Sequence, residues 1–166
     1  MRKVLVLAAA FCLAAATPFA QAPSSGKTAT SWTCASANPT HSIPVAGDTT
    51  HVYSISTTKC TANKGEVAGV KEVDGTATEF TEVMGDKMKG HGIFVENYAN
   101  GDKATFSYEF TGTLKDKTAR SVRNKYTMTS GTGMFKGATA SGTCTGKGTP
   151  DGGASFDCTG GYTLAK

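Results

Sequence analysis

The chain has little charge, few aromatic side chains and a single tryptophan for its length of 166 residues. Charged residues make up 18% of it, and the formal net charge of +4 is small for a protein that binds nucleic acid. The length allows one ordinary domain and excludes a multidomain enzyme. We therefore expect one small domain with no nucleic-acid partner.

An apolar run long enough to cross a bilayer is also missing. The longest run, Val4 to Ala16, has about 13 residues, whereas a transmembrane helix needs about 20. Arg2 and Lys3 precede this run and small residues follow it, which is the layout of a Sec-type signal peptide. We predict that residues 1–20 are removed by a cut near Ala20, that no transmembrane segment remains after processing, and that the protein is periplasmic or secreted.

Cysteine is scarce, and no two cysteines have the C-x-x-C spacing of a zinc site. Removal of residues 1–20 takes away Cys12, and an even number of remaining cysteines in an exported chain predicts two disulfides. The spacing along the chain favours the pairs Cys34–Cys60 and Cys144–Cys158. The histidines lie on different predicted segments, so we expect no metal site and no cofactor.

A helical period of apolar residues is not sustained anywhere after Lys27. Instead, runs of threonine, valine and aromatic residues alternate with glycine-rich turns, which is typical of consecutive antiparallel strands. The predicted strands are 30–36, 49–57, 65–73, 76–84, 90–98, 103–113, 121–129, 134–145 and 154–164. The expected fold is all-β, a single antiparallel up-and-down β-barrel of about eight strands at 30–166, after a flexible leader at 21–29. A β-sandwich is the alternative.

Two hairpins can be predicted in register. Asn100-Gly101 is typical of a two-residue type I′ turn. This turn would place Val95 opposite Phe106 and His91 opposite Phe110, on the apolar face of both strands. The first hairpin therefore predicts that His91 faces the interior.

The second predicted hairpin turns through Thr149 to Gly153, where proline, aspartate and glycine favour a turn. A turn centred on Asp151 places Cys144 directly opposite Cys158. Directly opposed residues have the short Cβ separation that a disulfide requires. The strand register therefore supports the second disulfide independently of its spacing.

Aromatic side chains on the predicted inward face form the candidate ligand-binding site. They could line an apolar cavity that carries a few hydroxyl groups, or they could simply fill the core. For the histidine of this set, the alternative is a side chain at the barrel mouth hydrogen-bonded to the backbone. The candidate residues are His91, Phe106, Tyr108, Phe110, Tyr126 and Tyr162.

The sequence carries no pattern that identifies a catalytic site. Glu79, Glu82, Glu96 and Glu109 come from different predicted strands, and we expect each to be solvated at the surface. Ser130 to Gly133 is glycine-rich, but the lysine and helix of a phosphate loop are missing. No catalytic residue is therefore predicted.

The segment Gly131-Thr132-Gly133-Met134-Phe135-Lys136-Gly137-Ala138 resembles a stretch of the allene oxide cyclase-like and dirigent-like β-barrels, with the pattern G-T-G-x-[FY]-x-G-A. The resemblance covers the C-terminal half of the chain and implies an eight-stranded antiparallel barrel. These families include isomerases and proteins that steer radical coupling, together with exported bacterial members. None of their functional carboxylates or cysteines matches a position of this chain, so the resemblance implies no catalytic residue here.

The expected function is binding of a small apolar or amphipathic molecule by an exported barrel without enzymatic activity, or a role in the cell envelope. One alternative is a cyclase- or isomerase-type enzyme of the same barrel class. Such an enzyme would need a buried ionisable residue that faces a pocket beside Tyr108 or Tyr126. The other alternative is a structural or protein-interaction module, which would carry an exposed apolar patch instead of a cavity. No oligomeric state is predicted.

Overall fold

The computed structural model describes residues 24–115 and 118–165, with the backbone alone at 118–120. The predicted signal peptide, residues 1–20, lies outside the described residues. Almost all of the described chain is strand, with one short 3-10 helix at Gly133–Phe135. The strands are β1 (Ser25–Cys34), β2 (Thr40–Val45), β3 (Asp48–Lys64), β4 (Glu66–Val67), β5 (Val70–Met84), β6 (Lys87–Tyr98), β7 (Lys103–Lys115), β8 (Thr118–Gly131), β9 (Thr139–Gly148) and β10 (Ala154–Thr163).

Eight of these strands close into an antiparallel barrel in the order β1-β10-β9-β8-β7-β6-β5-β3, and β3 returns to β1. β2 pairs with the first half of β3, and β4 forms a short hairpin with β5. Closure leaves the eight barrel strands without the unpaired edges that invite aggregation. The prediction of an all-β barrel is confirmed, and the sandwich alternative is wrong.

Several strand limits differ from those predicted. The predicted strand 65–73 contains β4, a tight turn and the start of β5, and β5 continues to Met84 because Gly75 lies within the ladder and does not end it. A side chain at Gly75 would overlap the ring of Phe94, so this glycine serves packing across the barrel. β2 was not predicted; it is an exposed strand that contains Pro44.

The start of the barrel and the start of β9 also differ. β1 begins at Ser25 and pairs with β10 as far as Thr163, so residues 25–29 of the predicted flexible leader belong to the barrel. The predicted strand 134–145 starts only at Thr139. Gly133, which starts the 3-10 helix, and Gly137, which follows it, have φ angles of +51° and +74°, which interrupt the extended backbone.

The register predicted for the hairpin between β6 and β7 is wrong by one residue. The loop has three residues: Gly101 N–H donates to the Tyr98 carbonyl, and Tyr98 N–H donates to the Asp102 carbonyl. Gly101 takes the left-handed conformation, with φ +86°, that ends such a loop. Phe94 therefore lies opposite Phe106, and His91 lies opposite Glu109 on the outer face.

The register predicted for the hairpin between β9 and β10 is confirmed. Cys144 lies opposite Cys158 and Gly142 lies opposite Gly160. Both predicted disulfides are present, Cys34–Cys60 between β1 and β3 and Cys144–Cys158 between β9 and β10. The first joins the pair of strands that closes the barrel, and the second joins the hairpin of the last two strands.

The core consists of two neighbouring clusters inside the barrel. The first closes one end, where Phe135 of the 3-10 helix is only 2% exposed. The second surrounds Trp32 and the two disulfides. The buried residues of the first, called here the capping cluster, are Val67, Tyr98, Ala104, Phe106, Phe135 and Tyr162.

Candidate ligand-binding cavity

A cavity of about 390 Å³ lies inside the barrel beside the capping cluster. Its walls are inward-facing residues of the barrel strands, because alternate side chains of each strand point to the interior. Aromatic rings dominate these walls, among them Trp32, Phe94, Phe106 and Tyr126. Trp32 and Phe94 pack edge to face with their ring centroids 5.2 Å apart. The volume falls within the range of small-molecule sites.

The cavity reaches the opposite end of the barrel, where turns surround it. Ala35 and Ala37, which follow β1, line it there and are themselves exposed to solvent. Gly153, which follows the tip of the β9–β10 hairpin, also lines it. The interior is therefore capped at one end and meets solvent at the other.

Four of the six predicted site residues line this cavity: Phe106, Tyr108, Phe110 and Tyr126. Tyr162 is buried in the capping cluster next to it. His91 does not face the cavity, and its predicted inward position is wrong. The three-residue loop at Gly101 turns His91 to the outer face, where its ring lies 5.7 Å from that of Phe80.

Glycine takes the inward position that His91 was predicted to occupy. Gly90 lies opposite Phe110, and Gly92 lies opposite Tyr108. A Cβ atom at Gly92 would lie 2.7 Å from the Tyr108 hydroxyl oxygen, closer than real Cβ atoms approach. The missing side chains therefore allow two aromatic rings to lie across the neighbouring strand.

One carboxyl group lies midway along the wall of the cavity. The Tyr108 hydroxyl donates a hydrogen bond of 2.8 Å to Glu79 Oε2. Burial raises the pKa of the Tyr108 hydroxyl, and the nearby Glu79 charge raises it further. The hydrogen bond to Glu79 thus fixes the orientation of the Tyr108 hydroxyl. Glu79 was predicted at the surface, and this prediction is wrong because Glu79 lines the cavity.

Two further carboxyl groups, called here the inner carboxyl pair, lie where the cavity meets the capping cluster. They belong to Glu72 of β5 and Glu96 of β6, which are 9% and 5% exposed. Both line the cavity. Glu72 Oε2 and Glu96 Oε1 have no hydrogen-bond partner. Such orphaned buried oxygens are rare in native proteins and call for an explanation.

A β-bulge turns Glu72 to the interior. Glu72 pairs with Tyr98 and Asp74 pairs with Asn97, so Val73 is the extra residue of β5. Without the bulge, strict alternation from Gly75 would place Val73 inside and Glu72 outside. The bulge therefore brings the Glu72 carboxyl beside that of Glu96.

Burial governs the protonation of the inner carboxyl pair. It raises the pKa of Glu72 to about 7. Burial also raises the pKa of Glu96 well above its usual range, and the charge of Glu72 adds to this effect. The two carboxyls titrate as a pair, because ionisation of one disfavours ionisation of the other.

Sequence reasoning missed this pair for two different reasons. Glu96 was predicted at the surface because the wrong register of β6 placed its odd-numbered residues inside. The alternation of Phe94, Glu96 and Tyr98 carried a signal for the correct face, since aromatic side chains flank the glutamate at a spacing of two. Glu72 gave no such signal, because the bulge at Val73 depends on pairing with β6.

A different carboxylate cluster lies on the outer face of the barrel. Glu82 Oε1 accepts a hydrogen bond of 2.8 Å from His51 Nε2. Glu82 Oε2 forms an ion pair with Lys89 Nζ at 2.9 Å. Lys89 is the main cause of a lowered pKa of Glu82, and His51 adds to it. Beside this outer cluster lies a row of exposed apolar side chains. Its members are Ile43, Tyr53, Ile55, Phe80 and Ile93.

No protein-family model matches the chain, and no curated protein is significantly similar to it. Within the part of the chain that the structure describes, no helix has the length and apolar composition needed to cross a bilayer. In the same residues, no three histidine, cysteine or acidic side chains converge in a way that could hold a metal ion. The cavity itself is therefore the feature on which a function can be argued.

Proposed function

We propose that this protein binds a small apolar or amphipathic molecule inside the barrel. The observation that carries the proposal is the cavity of about 390 Å³, with aromatic walls and a few polar groups. Ligand sites are typically concave and apolar, with a small number of polar groups that orient the ligand. The capped end gives the cavity a floor, and the exposed Ala35 and Ala37 mark the side from which a ligand arrives.

We further propose that binding takes place in the periplasm or outside the cell. The two disulfides are typical of proteins that fold in an oxidising compartment. The charged n-region and apolar run before Ala20 support export by a signal peptide. A carrier or scavenger of apolar molecules suits this location, since such molecules need a protein to cross an aqueous space.

Binding can be measured through Trp32, which is the only tryptophan of the chain and lines the cavity. Titration with 1-decanol should change its fluorescence and saturate. The variant Ala77→Phe places a ring in the cavity, because Ala77 lines it, and should weaken binding at least about tenfold. The matched variant Phe80→Ser removes an exposed ring from the outer face of the same strand and should leave binding unchanged.

The reverse result would contradict the proposal. Loss of binding in Phe80→Ser together with full binding in Ala77→Phe would assign the probe to the outer apolar row. Circular dichroism checks that Ala77→Phe folds; if it does not, Ala140→Leu blocks the same cavity with a smaller side chain. Native mass spectrometry of protein from its own host adds a second readout, since a bound molecule of low mass should accompany it.

A second candidate function is proton-transfer catalysis of the cyclase or isomerase type. One observation favours it: ionisable groups face the cavity beside both tyrosines, Glu79 at Tyr108 and the inner carboxyl pair near Tyr126. A buried carboxyl with a pKa near neutrality suits general acid–base chemistry. Incubation of the co-purified molecule with protein in D₂O tests this function: a catalyst exchanges a C–H hydrogen or isomerises the molecule, whereas a binding protein returns it unchanged.

A further inference from the structure

The inner carboxyl pair lacks any positive partner within the protein. Among the described side chains, the ion pairs of the structure all involve Glu82 on the outer face. Glu96 Oε1 and Glu72 Oε2 are buried without a hydrogen-bond donor. Burial of carboxyl oxygens in this state costs stability, which a structural role would not explain. Both glutamates line a cavity large enough to admit a ligand that carries a donor.

We propose that the inner carboxyl pair receives the protonated amine of an amphipathic ligand whose apolar body fills the aromatic part of the cavity. This inference rests on the proposed function and names the chemical class of its ligand. An ammonium group brings a positive charge and three N–H donors when the amine is primary, so one group can donate to both carboxyl groups of the pair. An alcohol offers one donor, and a carboxylate ligand would be repelled.

Aromatic rings around the pair favour the same ligand. Tyr98 lies opposite Glu72 across β5 and β6, and its hydroxyl interacts with Glu96. Tyr126 of β8 also lines the cavity, near enough to the pair for the two carboxyl charges to contribute to its raised pKa after burial. Ammonium groups are attracted to the faces of aromatic rings, and this attraction grows when water is excluded.

The positions of the groups along β6 set the orientation of the ligand. Glu96 lies next to the capping cluster, and Met88 lines the cavity eight residues earlier, toward the other end of the same strand. Phe110 lies beside Gly90 between these two points. An amine bound by the pair therefore lies deepest, and its apolar chain extends past Phe110 toward the end that meets solvent.

Three probes with the same apolar chain separate charge from apolarity: decylamine, 1-decanol and decanoate, each titrated at pH 8 with Trp32 fluorescence and calorimetry as readouts. Decylamine should bind at least about tenfold more tightly than 1-decanol, and decanoate should bind most weakly. In Glu72→Gln/Glu96→Gln the preference for decylamine should disappear while 1-decanol still binds. Glu82→Gln is the matched control, because Glu82 does not line this cavity, and it should keep the preference.

The outcomes distinguish this inference from the proposed function. Binding of 1-decanol with no preference for decylamine overturns the inference and leaves the proposed function standing. Binding of none of the three probes overturns both. A preference that survives in Glu72→Gln/Glu96→Gln also overturns the inference. The single variants Glu72→Gln and Glu96→Gln, which should each reduce the preference, provide the test if the double variant does not fold.

Discussion

The inner carboxyl pair and the outer cluster at Glu82 place the same functional group in opposite surroundings. Glu82 pairs with Lys89, is hydrogen-bonded to His51 and has a lowered pKa. Glu72 and Glu96 have no cationic neighbour among the described side chains, and burial raises the pKa of each. A carboxylate on the outer face is therefore stabilised by its partners, whereas a carboxyl inside the barrel is stabilised as the neutral acid. This contrast identifies the inside of the barrel as the place where a ligand can supply the cationic partner that the inner carboxyl pair lacks.

The largest effect should be the dependence of stability on pH. The pKa of Glu72 is about 7 in the folded protein and near 4.5 in an unfolded chain. Between these two pH values the folded protein therefore binds a proton at Glu72 that the unfolded chain has released. Its contribution is fully present below about pH 4.5 and is lost as the pH rises through 7. We expect the free energy of unfolding to fall by about 2.5 kcal/mol from pH 5 to pH 8 on this account.

Urea denaturation of the wild-type protein and of Glu72→Gln/Glu96→Gln at both pH values measures this effect as a difference. The amides cannot ionise, so the variant should lose much less stability over the same range. The hydroxyls of Tyr98 and Tyr126 face the pair, but they stay protonated throughout because burial raises their pKa values. Parallel pH profiles of the two proteins would refute the assignment of raised pKa values to the inner pair.

A smaller effect should follow from removal of one inner carboxyl. At pH 8 the variant Glu96→Gln should be more stable than the wild-type protein by about 1–2 kcal/mol. The Glu96 carboxyl ionises freely in the unfolded chain but resists ionisation in the folded protein, and a neutral amide removes this difference. At pH 5 the two proteins should be close in stability. A thermal melt at each pH checks the sign, and a loss of stability at pH 8 would show that a charged Glu96 stabilises the fold.

The third effect concerns the hydrogen bond between Tyr108 and Glu79. Removal of the hydroxyl in Tyr108→Phe should reduce the free energy of unfolding by about 1 kcal/mol, because Glu79 Oε2 loses this donor while the carboxyl keeps the Thr81 hydroxyl and some access to water. Chemical denaturation at pH 7 measures the loss. Tyr53→Phe is the matched control on the outer face, where the hydroxyl also bonds to a glutamate but is exposed; a loss as large there would remove the distinction between inside and outside.

The smallest effect should come from Glu82→Gln. Its partner Lys89 is largely exposed, so water and salt screen this ion pair on the outer face. The lowered pKa means that Glu82 contributes stability above its ordinary pKa and loses it as the pH falls through the folded value. Because screening keeps this contribution small even at pH 8, the variant should match the wild-type melting temperature closely at that pH. A marked destabilisation at that pH would show that the outer ion pair contributes strongly to stability, against this prediction.

The two hairpins explain how far the register could be predicted. Both loops have three residues and end in a glycine with positive φ, +86° at Gly101 and +83° at Gly152. At Pro150-Asp151-Gly152 the turn residues indicated this loop, so the pairing of Cys144 with Cys158 is confirmed. At Asn100-Gly101 the dipeptide favoured a two-residue turn, and one residue of difference moved His91 outside and Glu96 inside.

The sequence by itself determined the all-β character, the barrel and the two disulfides. Alternation, turn residues and cysteine spacing are local properties that a single strand or hairpin already expresses. It also placed Phe106, Tyr108, Phe110 and Tyr126 at the cavity.

Only the tertiary structure decided the position of the inner carboxyl pair. The bulge at Val73 and the register of β6 arise from pairing between strands, and two carboxyls become a site only when the barrel closes around them. Closure removes water from both groups, and this desolvation gives Glu72 and Glu96 properties that no segment of the chain has alone.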